Sequence, residues 1–262
     1  MRAHPVLTVV YFVLRLVVAT VLVINVVQRD YESAFICGLS LILFLLPSFL
    51  EHKLRVDIPS VTEIIILLFI FAAEMLGELS HYYTQYAFWD TMLHTTNGFL
   101  CAAFGFSMVD ILVRNKQAKF HLSPLYVALV AFCFSMTVGV LWEFFEYGMD
   151  VVFHTDMQKD TVVYTVPTAA LGDGTVTVLE NISSVAVNGT VLPVDGYLDI
   201  GLHDTMEDLL VNFCGAVAFS VIGYVYIRQR GKGRSGRFLR HFLPELTDSD
   251  ATDASDASVV SN

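Results

Sequence analysis

Charge is scarce in this sequence. Asp, Glu, Lys and Arg make up 16% of its 262 residues, against 55% hydrophobic residues and a mean hydropathy of +0.61. That shortage excludes an ordinary soluble domain, in which about a quarter of the residues are charged. Cysteine is scarce too. Cys37, Cys101, Cys133 and Cys214 lie too far apart to form a CxxC pair, which excludes a dithiol redox motif or a thiolate zinc knuckle. All four fall within apolar stretches, where small packing residues are expected. Basic residues, 15 against 26 acids for a net charge of -11, are too few to build a nucleic-acid face. The one basic cluster, RQRGKGRSGR, directly follows an apolar run. There it reads as a topology signal in contact with anionic lipid, and no nucleic-acid partner is expected.

What the chain does have is long apolar runs. A bilayer core about 30 Å thick takes roughly 20 apolar helical residues to cross, and six such segments are present, at about 5–27, 34–50, 61–79, 87–113, 123–153 and 202–227. The second is short and interrupted by Pro47. The first is too long for a secretory h-region and lacks a small-residue cleavage site, so it reads as a retained anchor. The expected fold class is all-α, a polytopic transmembrane helix bundle of about six spans over 1–227. Residues 154–201 form a long extracytoplasmic loop, rich in Val and Thr and broken by Gly and Asn-Gly, where a β-hairpin or three-stranded element is expected. Asn181-Ile-Ser and Asn188-Gly-Thr within it match glycosylation sequons. Residues 228–262 are basic and then Asp-rich, and are expected to be a cytoplasmic, disordered tail.

The basic residues are sorted by loop. Arg2, Lys53, Arg55, Arg114, Lys116, Lys119 and the cluster from Arg228 to Arg240 fall on one side, and Arg29 and Lys159 on the other. The positive-inside rule then puts both termini in the cytoplasm of a multi-pass protein of the inner or plasma membrane. Arg15 lies within the first span and is expected to snorkel, or to pair with Asp110. The aromatic text HYYTQYAFW reads as an interfacial belt.

Against this background the acids stand out. In LWEFFEYGMD, Glu143, Glu146 and Asp150 project within about 60° of one another on a helix. In FWDTMLHTTNGF, Asp90, His94 and Asn97 share a face, as do Asp204, Asp208 and Asn212 in LHDTMEDLLVNF, and Glu74, Glu78 and His81 in AEMLGELSH. With the topology above, all four stripes reach the outer boundary of the membrane, where these helices carry no Lys or Arg. Any one of these residues alone reads as a solvated boundary group. Repeated on four spans, they read as a site, because ionisable groups in a membrane are costly. Such a cluster stays charged only if a cation joins it; otherwise some carboxyls hold protons. Carboxylates with an imidazole suit a divalent metal ion of the Mg²⁺, Mn²⁺, Ca²⁺, Fe²⁺ or Zn²⁺ type, without choosing among them.

With FWDTMLHTTNGF, LWEFFEYGMD and LHDTMEDLLVNFCGA, the chain resembles the YjdF-like family of bacterial inner-membrane proteins. There a D-x-x-x-H-x-x-x-G, a W-E-x-x-E-x-x-x-D and a D-x-x-x-D-x-x-x-N-x-x-G stretch recur in this order. The third, with Asp204, Asp208, Asn212 and Gly215, is also similar to VanZ-like proteins, which are implicated in low-level glycopeptide resistance at the outer face. Thr91 stands where those proteins tend to have Lys. The resemblance covers about 60–225 without the outer loop and implies a fold rather than a reaction.

The expected function is therefore metal-dependent hydrolysis or group transfer on a lipid-linked or cell-envelope substrate, with membrane lipids as surroundings. The candidate metal ligands are Asp90, His94, Asp150, Asp204 and Asp208. Glu143 or Glu146 would take a proton from metal-bound water, and Glu78, His81 and Asn212 would line the site. The alternative is a cation- or proton-coupled transporter, or a metal-binding membrane protein without chemistry.

Overall fold

The computed structural model describes residues 5–54, 56–114, 122–172, 174–229 and 245–246. Its helices are α1 (Pro5–Gln28), α2 (Tyr31–Leu43), α3 (Leu46–Leu54), α4 (Ser60–Ile70), α5 (Tyr82–Gln85), α6 (Phe88–Arg114), α7 (Pro124–Phe153) and α8 (Leu202–Arg228). A π-helical segment, Phe71–Glu78, continues α4. Among the described residues, six stretches are long and apolar enough to cross a membrane: Pro5–Gln28, Tyr31–Lys53, Ser60–Glu78, Phe88–Leu112, Pro124–Phe153 and Leu202–Arg228. Their outward positions are large and apolar, among them Phe12, Leu16, Ile42, Leu112, Leu129 and Leu210. Lipid tails accept such a surface, whereas water penalises it.

The chain divides into two compact units, one made of 1–136 with 212–262, the other of 137–211. In the first, α1 ends at Arg29, which is left-handed (φ 63°), and α2 starts at Asp30, whose carboxylate accepts the Ser33 N–H at 3.1 Å. Hydrogen bonds from the Ser33 side chain and amide hold the Asp30 carboxyl below its usual range. The second span, expected to be the least secure because it is short and contains Pro47, is long and apolar enough to cross, and Pro47 lies in the first turn of α3. Proline has no N–H for the carbonyl one turn back, so the span breaks between α2 and α3 at Phe44–Leu45. One core packs Val18, Cys37, Phe44, Leu67, Ile70 and Met75; another packs Ala102, Ala103, Phe106, Val127, Ala131, Ala216 and Phe219. The alanines of the second core, with Gly98 and Gly215, let backbones approach. A Cβ at Gly98 would overlap the Asn212 carbonyl, and one at Gly215 the Thr95 carbonyl.

The π-helical segment changes one expected stripe. Leu79 N–H bonds the Glu74 carbonyl five residues back, and His81 takes a left-handed conformation (φ 57°) that ends the helix. His81 is therefore exposed and sits off the face it was expected to share with Glu74 and Glu78. Among the described residues, Arg15 pairs with neither Asp110 nor any other acid. Its guanidinium lies over the Tyr11 ring and reaches the Phe44 carbonyl. Of the cysteines, Cys37 is buried, Cys101 is half-buried, and Cys133 and Cys214 face outward, so the packing role expected for all four holds best for Cys37. Strands β1 (Val56–Asp57) and β8 (Glu245–Leu246) pair antiparallel, which brings two residues of the tail expected to be disordered onto the loop before α4. The basic run 230–240 and the Asp-rich 247–262 lie outside the described residues.

In the second unit the described residues of the 154–201 loop form three separate two-stranded antiparallel pairs. These are β2 (Thr161–Val163) with β7 (Tyr197–Asp199), β3 (Val166–Thr168) with β4 (Thr177–Leu179), and β5 (Ala186–Val187) with β6 (Thr190–Val191). The hairpin alternative is thus present, at β5–β6, and the three-stranded one is not. Strands of two or three residues are too short to recruit a third. The tightest turn is the Asn188-Gly189 pair, both at positive φ (53° and 81°), as a two-residue hairpin requires.

Candidate metal centre

Within the second unit, α7 supplies Glu143 and Glu146 at i, i+3 spacing and α8 supplies Asp208. One oxygen from each lies within 4.8 Å of the others. All three side chains are buried, with residue exposures of 4%, 7% and 3%. At about 5 Å and an effective dielectric of about 20, each pair of ionised carboxylates repels by about 3 kcal/mol. Three buried negative charges this close need a cation or shared protons. The position of Glu146 is fixed by Trp142, whose indole N–H donates to Oε1 at 2.8 Å. Sequence reasoning missed Trp142, although its i, i+4 spacing to Glu146 was the available signal.

Asp150 and Asp204 are used differently. Asp150 accepts the Thr155 hydroxyl (2.8 Å) and the Met157 N–H (2.7 Å) on one oxygen and the Gln158 N–H (2.8 Å) on the other. Asp204 accepts the Lys159 N–H at 2.8 Å, and Asp199 accepts the His203 N–H at 2.8 Å at the start of α8. These carboxylates tie the 154–201 loop to the helix ends. Asp160 lies beside them. Burial first, then the charges of Asp156, Asp199 and Asp150, push its carboxyl above the usual range, while Lys159 pulls it down. Replacing Asp150 with Ala leaves two backbone amides unanswered and should destabilise the loop by about 2 to 3 kcal/mol. Limited proteolysis should then cut within 154–201 faster than in the wild type.

In the first unit, Asp90 and His94 sit one turn apart on α6, Nε2 to Oδ1 3.4 Å, with His94 buried. Asn212 is fully buried and holds helices together. Its carbonyl oxygen accepts the Asn97 amide at 3.2 Å and its own amide faces the Met136 sulfur at 3.6 Å. Such cross-helix bonds satisfy amides that lipid cannot. Ser135 adds a hydroxyl bond to the Gly98 carbonyl at 2.7 Å. Glu74 is buried and Glu78 half-buried on the π-helical segment. Next to it, Tyr82 makes edge contacts with Tyr86 and Trp89, both at 4.9 Å between ring centres.

The family model described as "Predicted membrane protein (DUF2238)" matches residues 10–229, from within α1 to the end of α8. The chain belongs to this family. A relative from Thermotoga maritima, named only as an uncharacterized protein, is 26% identical over 106 residues, 40% of this chain and 53% of the relative. The chain thus matches about half the length of that relative. No solved structure matches. The family match and the apolar helices make the chain an integral, multi-pass membrane protein.

Proposed function

We propose that this DUF2238 protein binds a divalent cation through Glu146 and Asp208, with Glu143 beside it, and uses it for hydrolysis or group transfer on a lipid-linked or cell-envelope substrate. The observation that carries this reading is the convergence of three buried carboxylates from two helices, with Glu146 held in place by Trp142. Helix bundles build carboxylate metal sites in this way. In this reading Glu146 and Asp208 hold the ion, and Glu143 takes a proton from water that the ion has made more acidic. Asp90 and His94 stand as further ligand candidates on their sequence register alone. Asp150 and Asp204 are left out of the ligand set, because backbone amides already bond both oxygens of Asp150 and Oδ2 of Asp204. The sorting of basic residues between the loops supports both termini in the cytoplasm, which turns the trio toward the outer face, where an envelope substrate would meet it. The described parts of α7 and α8 beyond the trio offer Asn212, Ser135 and Ser220 as buried polar groups and no buried carboxylate, which favours surface chemistry over transport.

Elemental analysis of protein purified without chelator tests the proposal. Wild type should carry one divalent ion per chain, Asp208→Asn should lose it by about tenfold or more, and Glu143→Gln should keep most of it while losing turnover. Metal-free wild type would indicate shared protons instead and end the proposal.

A further inference from the structure

A cavity of about 370 Å³ opens on α1, lined by Thr8, Tyr11, Phe12, Arg15 and Leu16. Phe12 and Leu16 face outward on this span, where the bilayer's hydrocarbon lies, so the cavity opens toward lipid. Arg15 is its charged wall. Helical side chains lean toward the helix N-terminus, and this one does, bringing its Cζ to 4.7 Å from the centre of the Tyr11 ring. The guanidinium therefore lies near the level of Tyr11, about 9 Å along the helix from Pro5.

A guanidinium has five N–H donors, and among the described residues this one makes a single long bond, 3.4 Å, to the Phe44 carbonyl at the helix break. The nearby acid, Glu63, is buried, and its Oε1 accepts the Tyr11 hydroxyl at 2.6 Å. Tyr11 thus gives its hydroxyl to Glu63 and its ring face to Arg15, and no ion pair joins the two charges. Among the described residues, most of the guanidinium donors are left for something in the cavity that Arg15 lines.

We propose that this cavity binds the phosphate of an anionic phospholipid from the leaflet on the Pro5 side. Arg15 donates to the phosphate oxygens and an acyl chain lies along Phe12 and Leu16. Three observations select a lipid: the positive wall, an opening flanked by lipid-facing side chains, and a depth one or two turns below the helix start, where a headgroup can reach. Guanidinium suits phosphate because its planar donors meet two oxygens at once. This site is independent of the carboxylate trio.

The test is native mass spectrometry of the full chain from nanodiscs of equal phosphatidylglycerol and phosphatidylcholine. Wild type should retain phosphatidylglycerol over phosphatidylcholine by about tenfold. Arg15→Gln should erase that preference. Leu16→Trp, which blocks the opening without changing charge, should weaken it at unchanged melting temperature. Equal retention of both lipids by wild type would overturn the proposal, as would a wild-type preference in Leu16→Trp, which decides the matter alone if Arg15→Gln does not fold. Displacement of the lipid by millimolar inorganic phosphate would also overturn it, showing a soluble-anion site instead.

Discussion

Stripping divalent ions with a chelator should lower the melting temperature of the wild type by on the order of 10 °C and leave Asp208→Asn unmoved. The size follows from linkage. An ion that binds only the folded state at about 1,000 times its dissociation constant adds about 4 kcal/mol, and a chain of this length shifts by about 2 to 4 °C per kcal/mol. The sign follows from the trio. With the ion removed, Glu143, Glu146 and Asp208 are buried within 4.8 Å of one another and must repel or take up protons. Asp208→Asn removes one charge and one ligand, so it should relieve part of that repulsion and abolish the response to metal together. Thermal scanning in mild detergent, with and without chelator and with Mg²⁺, Mn²⁺ or Zn²⁺ added back, reads both. A wild type indifferent to chelator would place protons, and no ion, among the carboxylates.

Replacing Gly98 and Gly215 together with Val should prevent recovery of a folded, monodisperse protein. Each added Cβ would overlap a carbonyl of the facing helix, Asn212 for Gly98 and Thr95 for Gly215. The two helices would have to separate. Overpacking of this kind costs about 1 to 3 kcal/mol per site, and separation also breaks the Asn97–Asn212 bond, worth about 0.6 kcal/mol on average in a membrane bundle. Gly148 is the control, since a Cβ there meets nothing within 4 Å. Gly148→Ala should be neutral or slightly stabilising, because alanine favours helix by about 1 kcal/mol. Size-exclusion profiles and melting temperatures of the two variants separate the cases. A Gly98→Val, Gly215→Val protein that behaves like wild type would show that α6 and α8 do not touch.

The sequence alone determined that the chain crosses a membrane and roughly where. Length and hydropathy are sums over local residues, and a bilayer demands the same thing of every span: about 20 apolar residues with all backbone bonds made inside the helix. The Asn188-Gly189 turn was legible for a similar local reason, since few residues accept positive φ twice in succession. Acidic faces on α7 and α8 could also be read from spacing, because 3.6 residues per turn fixes which side chains share a side.

Which of those acids meet another helix, and which turn to the backbone, was decided by tertiary structure. Glu143, Glu146, Asp150, Asp204 and Asp208 look alike in the sequence. Three converge, while Asp150 and Asp204 instead hold the loop, because the path of 154–160 brings amides to their oxygens. Arg15 shows the same limit. No local pattern reveals that the break at Phe44 and the hydroxyl of Tyr11 determine what it touches. Periodicity sets the direction of a side chain from its own helix axis; its partner depends on rotations and crossings of helices far apart in sequence, and those are fixed only when backbones such as Gly98 and Asn212 come into contact.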